Sequence, residues 1–158
     1  MPSLSTAAAE PIVVVTACDD NYVRGVAAAM RSAIDCVAQN QPLHIYVLDG
    51  GISYESKQKL ERSWRAKHAQ IEWLQPDLQA IGDMPVSDHV SLSTYLRILL
   101  AELLPGNIEK AIYLDADTIV MRDLAELWRE PIETFYCAAT QDCFVPVLDP
   151  QIALSRPL

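Results

Sequence analysis

The chain has 158 residues, a formal net charge of −9, and 51% hydrophobic residues. That is about one ordinary domain with ample apolar material for a core, which argues against disorder. So acidic a chain lacks the basic footprint of a general nucleic-acid or anionic-membrane binder, but it suits a polyanionic nucleotide if a metal ion and one or two arginines neutralise the phosphates.

Residues 1–10 are small and polar to neutral, with no basic start and no apolar stretch, and read as a disordered tail rather than a secretory signal. No apolar run approaches the ~20 residues of a membrane-spanning helix. Residues 11–17, led by Pro11-Ile12-Val13-Val14-Val15, form a β-branched run suited to a strand buried on both faces of a parallel sheet. Cys18-Asp19-Asp20-Asn21 makes a polar turn. Residues 22–39 read as a helix, with Val23, Val26, Ala27, Met30, Ile34 and Val37 at helical spacing. Residues 42–48 give a second strand, ended by Asp49-Gly50-Gly51. Ser53 caps a second helix reaching about Lys67, with Leu60 and Trp64 four apart on one face. Its charged residues, Lys57, Lys59, Glu61, Arg62 and Lys67, read as a solvated outer face.

Residues 70–74 form a third strand. Residues 75–90, with Pro76, Gly82, Asp83, Pro85 and Asp88, have loop chemistry and unusual length, which is often functional. Residues 91–104 read as a helix with Leu92, Tyr95, Leu96, Leu99, Leu100 and Leu103 inward, stopped by Pro105-Gly106-Asn107. Residues 111–120 read as an apolar strand carrying Asp115 and Asp117, followed by a short helix over 124–129 and a fifth strand over 134–139. The order βαβαβ, loop, αβ predicts a three-layer α/β/α sandwich with a mostly parallel sheet. After Gln141 the pattern completes no element.

The chemistry gathers at strand ends. On a strand, Asp115 and Asp117 project to the same side and Ala116 to the other. Two close carboxylates repel unless a divalent cation sits between them. C-terminal strand ends in α/β proteins are also ligand sites, so the pair reads as a metal site for a phosphate-bearing substrate. The alternative is a strand running into an Asp-rich turn. No Gly-x-Gly-x-x-Gly follows the first strand, so ordinary dinucleotide binding is not supported. The turn instead offers Asp19, Asp20, Asn21 and Tyr22. A carboxylate there accepts from a base N–H, the Asn amide pairs with a ribose hydroxyl, and the Tyr ring stacks on a base. The alternative is an Asx turn capping the first helix. Arg97, between Leu96 and Ile98, calls for a carboxylate or phosphate partner, or else snorkels to the surface. The four cysteines, Cys18, Cys36, Cys137 and Cys143, have no zinc-site spacing; Cys36 and Cys137 read as buried thiols in a reducing cytoplasm. His44, His68 and His89 have no ligand spacing.

Five segments in order resemble glycosyltransferase family 8, retaining enzymes with a GT-A fold. They are Thr16-Ala17-Cys18-Asp19-Asp20-Asn21-Tyr22, Tyr46-Val47-Leu48-Asp49-Gly50-Gly51-Ile52-Ser53, Ser91-Leu92-Ser93-Thr94-Tyr95-Leu96-Arg97, Ile112-Tyr113-Leu114-Asp115-Ala116-Asp117-Thr118-Ile119-Val120 and Leu124-Ala125-Glu126-Leu127-Trp128. The resemblance covers roughly residues 11–142, a nucleotide-sugar-binding half-domain, and leaves 143–158 as an irregular tail. It implies that Asp19 binds the uracil N3–H, Asn21 the ribose, and Tyr22 stacks on the base, with Ala17 and Ala116 beside them. Asp115 and Asp117 would hold Mn²⁺ (or Mg²⁺) against the diphosphate of UDP-galactose or UDP-glucose, Asp117 also lying near the ribose. Arg97 would contact the donor sugar or its phosphates. The implied acceptor is a glycan or lipopolysaccharide core, and the implied location cytoplasmic, at the inner membrane through residues beyond Leu158. The family's third metal ligand, a histidine, and its catalytic residues would also fall beyond Leu158, so the isolated chain is expected to bind donor without transferring sugar.

Three other functions compete. One is a nucleotide-sugar-binding module without transfer activity. Asp115-Ala116-Asp117 is also similar to the nucleophile motif of haloacid-dehalogenase-like phosphatases, which wants Thr or Val where Ile119 stands and places the motif on a first strand. A response-regulator receiver would use Asp19-Asp20 as its acidic pair and Asp49 as phosphoacceptor, but no Lys-Pro follows Asp117.

Overall fold

In the computed structural model of the protein, residues 9–77, 95–132 and 134–140 are described. β1 (Ile12–Cys18) is buried at all seven positions. A strand apolar on both faces must be covered on both, which places it inside the sheet. β2 (Leu43–Asp49) pairs with it in parallel, from Ile12 opposite Leu43 to Cys18 opposite Asp49. β3 (Ala69–Leu74) adds in parallel outside β2. β4 (Ile112–Tyr113) adds in parallel on the other side of β1, with Val14 opposite Ile112 and Val15 opposite Tyr113. The sheet order is β3-β2-β1-β4.

α1 (Val23–Cys36) and α2 (Tyr54–Ser63) are the two crossovers. α1 sets Val26, Ala29, Met30, Ala33 and Ile34 against the sheet, all fully buried. As expected, Ser53 caps α2, accepting from the Ser56 N–H, and Leu60 and Trp64 enter the core. The Trp64 indole donates to the Ala27 carbonyl at 3.1 Å and ties the end of α2 to α1. α4 (Leu124–Trp128), capped by Asp123, adds Leu124 and Ala125 to the same layer.

The alternate residues Val13, Val15 and Ala17 of β1, with Tyr46 and Leu48 of β2, face the other layer and meet Leu96. There a 3-10 turn (Leu96–Leu99) runs into α3 (Leu100–Leu103). Tyr95, Leu99, Leu100 and Leu103 pack against this cluster, as the spacing predicted. Pro105 denies Leu104 a helical backbone and holds it extended at φ −71° and ψ 147°, ending α3. Helices on both sheet faces make the three-layer α/β arrangement.

Several expectations are corrected. The fifth strand over 134–139 does not form: these residues are exposed without strand geometry, and the Phe135 ring is 67% accessible. An apolar run becomes a strand only where a neighbour takes its backbone hydrogen bonds. Cys137, read as buried, is exposed with that segment, and Cys36 is only half-buried. The strand over 111–120 is hydrogen-bonded only at its start, for reasons given below. His44 and His68 are local: the His44 ring stacks on Tyr46 with centroids 4.2 Å apart, its Nε2 3.3 Å from Glu72, and His68 Nε2 meets the Ile34 carbonyl. Residues 1–8, most of the long loop including His89, Leu92, Cys143 and the final stretch lie outside the described residues. Among the described residues, no helix is long and apolar enough to cross a membrane.

Candidate functional site

The chain runs from β1 outward through β2 to β3, then returns to place β4 on β1's opposite side. The reversal makes β1/β4 the topological switch point. In open parallel sheets, the crevice at the carboxyl ends of the two strands flanking such a point is where ligands bind. Asp19–Tyr22 leave β1 there, and Asp115–Asp117 leave β4 beside them.

On the β1 side, Asp19 accepts from the Asn21 N–H at 2.9 Å and caps a 3-10 turn (Asp20–Tyr22) that leads into α1. The Asx-turn reading is thus realised for Asp19. Asp20 turns the other way, accepting from both the N–H and the hydroxyl of Ser53 at 3.1 Å. The Ser53 N–H, the Ser56 and Ser53 hydroxyls and Lys59 hold its carboxyl below the ordinary value. Asp20 therefore ties the loop to the start of α2. Tyr22 is 47% exposed at the end of this turn. Cys18 beneath the loop is buried; burial first, then Asp19, Asp20 and Asp49, push its thiol up to about 12, so it stays protonated and unreactive.

On the β4 side, sheet hydrogen bonding ends where the Leu114 N–H reaches the Val15 carbonyl at 2.9 Å. Residues 115–118 form a turn, closed by the Thr118 N–H and hydroxyl, which donate to the Asp115 carbonyl at 3.2 and 2.7 Å. This corrects the expected strand through Val120. α1 takes over the backbone that a strand partner would have held. The Ser32 hydroxyl accepts from the Val120 N–H at 2.9 Å, and the Cys36 thiol donates to the Val120 carbonyl at 3.3 Å. A Cβ on Gly25 would lie 2.6 Å from the Ala116 carbonyl oxygen, so glycine admits this close approach. Alternation nonetheless persists through Ala116. Ile112, Leu114 and Ala116 pack with the α1 layer, while Tyr113 packs with the opposite layer.

Asp115 meets Arg97 from that opposite layer, with Nη2 3.4 Å from Oδ1. Arg97 lies over the Tyr113 ring, 5.6 Å from its centroid. Burial first, then the Asp115 carboxylate, raise the Tyr113 phenol to about 12 against the opposing pull of Arg97. The sequence reading therefore finds a carboxylate partner for Arg97, but it gives Tyr113 no role, passes over Gly25 and Ser32, and takes Cys36 only as a buried thiol. The last three, with Ala29, form a stripe of small residues down α1, a signal legible at helical spacing.

Asp115 and Asp117 sit within one turn, and Asp117 is exposed. Two carboxylates are hard oxygen donors suited to Mg²⁺ or Mn²⁺, with water filling the remaining positions. Among the described residues, no group of three His, Cys, Asp or Glu side chains is placed to hold a metal. The donor set thus fits a partly hydrated divalent ion that needs a further ligand, such as a diphosphate, to be held firmly.

Residues 13–154 match the model of a protein family described as "Glycosyl transferase family 8". The chain is 31% identical over 130 residues to General stress protein A of Bacillus subtilis, covering 82% of this chain and 46% of that one. It is 34% identical over 118 residues to a putative glycosyltransferase of Haemophilus influenzae, covering 73% and 36%. The galactosyltransferase LgtC, solved with donor and acceptor sugar analogs, superposes with a TM-score of 0.80 at 25% identity, covering 92% of this chain and 52% of that one. The chain thus spans between about a third and a half of the length of these three proteins.

Proposed function

The chain belongs to glycosyl transferase family 8, and from that premise we propose that it forms the nucleotide-sugar-binding rim of a hexosyltransferase. The reaction is transfer of galactose or glucose from a UDP-sugar to a glycan acceptor, with retention at the anomeric carbon. In this reading Asp19 accepts from the uracil N3–H, Asn21 pairs with the ribose, and Tyr22 stacks on the base. Ala17 and Ala116, whose methyls pack into the two core layers, lie beside them at the strand ends. Asp115 and Asp117 hold a Mn²⁺ or Mg²⁺ ion, which when bound supplies Lewis-acid stabilisation of the diphosphate leaving group. Arg97 adds a cation beside the acidic turn, and the net charge of −9 explains why metal is needed with it. Family membership leaves the phosphatase and receiver readings without support.

The observation that carries this reading is the switch point. Its two flanking strand ends present Asp19–Tyr22 on one side and the Asp115/Asp117 turn on the other. Calorimetric titration with UDP tests it. Binding is expected with Mn²⁺ and far weaker with chelator, and replacing Asp115 and Asp117 together by Asn should remove the metal-dependent part. Equal affinity with and without metal would overturn the role given to the pair.

A further inference from the structure

We propose that Arg97 is a resident counter-ion of Asp115 that competes with the divalent ion, and that its release to a diphosphate couples metal binding to nucleotide binding. The proposal rests on the reading of Asp115 and Asp117 as the metal pair.

Three observations carry it. First, the guanidinium and the carboxylate are already paired, with Nη2 3.4 Å from Oδ1. Second, the two side chains are 45% and 46% exposed, so ions and water reach both. An ion pair this open is weak and exchangeable, unlike a structural bridge. The core role at this point of the chain falls to the neighbouring Leu96, which is fully buried. Third, Tyr113 provides a platform that keeps Arg97 at the rim whichever anion it faces, its ring 5.6 Å away.

The charges then set the order of events. Two carboxylates and one guanidinium present a net charge of −1 to an incoming dication, and the guanidinium repels it at short range. Arg97 therefore lowers affinity for the bare metal. A diphosphate reverses the sign of its effect, because its oxygens offer the guanidinium a forked partner and free Asp115 for the metal. By linkage, whatever Arg97 adds to nucleotide affinity in the presence of metal it adds equally to metal affinity in the presence of nucleotide.

The test follows free Mn²⁺ by electron paramagnetic resonance, with circular dichroism confirming the fold of each variant. Without nucleotide, Arg97→Gln should bind Mn²⁺ about three- to tenfold more tightly than the parent chain. With UDP present, the gain in Mn²⁺ affinity that the nucleotide gives should shrink by at least that factor. Arg97→Lys keeps the charge and should retain weak bare-metal binding. Arg97→Gln binding Mn²⁺ no more tightly than the parent, while the Asp115→Asn/Asp117→Asn variant loses binding, would overturn this proposal and leave the metal reading standing. Parent Mn²⁺ binding that is indifferent to the double Asn variant would overturn both.

Discussion

Asp49 is 2% exposed at the end of β2, where an unpaired charge would be costly. Burial pushes its carboxyl up, but Lys57 and the N–H groups of Ile52 and Gly51 outweigh it and leave the carboxyl below its ordinary 3.8. Two of these partners come from the turn, at 2.7 and 2.9 Å, with Gly51 at φ +111° completing it. The third is the Lys57 ammonium, which also lies 5.4 Å from the centroid of the Trp73 ring. The sequence reading put Lys57 on a solvated face because helical spacing alone cannot show that a strand end lies beneath it. Lys57→Met should cost about 1–3 kcal/mol, less than a fully buried pair because the two N–H donors remain. A carboxyl lowered in the folded state stabilises fully above its unfolded value, and the contribution disappears as pH falls through the lowered folded value. The Asp49 contribution is therefore intact at pH 7, begins to fade as pH falls below about 3.8, and is lost below the lowered folded value. Urea unfolding at pH 7 should separate Lys57→Met from the parent, and the gap should narrow at pH 3. Equal stabilities at pH 7 would show the pair to be idle.

At the scale of elements, α1 is both a crossover and the mould for the acidic turn. Gly25, Ala29, Ser32 and Cys36 recur at helical spacing and let residues 116–120 lie close against it. Gly25→Ala gains roughly 1 kcal/mol of helix propensity. It also drives a methyl to 2.6 Å from a backbone oxygen, an overlap that costs about 1–3 kcal/mol or moves the turn. The expected outcome is a destabilised chain with weaker Mn²⁺ binding, measured by thermal unfolding and metal titration. A more stable variant with unchanged binding would contradict the close packing. Elements whose signals are local were legible in the sequence: the apolar β1, the Ser53 cap and the Leu60/Trp64 pair. Elements that depend on a partner were not. Ile119 and Val120 have strand composition, yet side chains of α1 hold the Val120 backbone groups. Residues 134–139 have it too, without a neighbour among the described residues.

For the molecule as a whole, the decisive fact is one of topology. The sequence order βαβαβ made a parallel sheet readable, but not the strand order, which depends on where the chain returns after β3. The order β3-β2-β1-β4 brings Asp19 and Asp115, nearly a hundred positions apart in sequence, to one end of adjacent strands. The separate motifs were visible as candidate residues, and Arg97 was expected to meet a carboxylate or phosphate, without Asp115 being named as its partner. The central claim is that this end of the sheet holds a divalent ion. Residue-resolved NMR line broadening during a Mn²⁺ titration tests it most directly. The amides of residues 115–118 should broaden first and most, followed by residues 19–22 and Gly25, with the effect removed by Asp115→Asn/Asp117→Asn. Broadening centred on the opposite end of the strands, around Leu43 and Ala69, or unchanged in that double variant, would contradict the account.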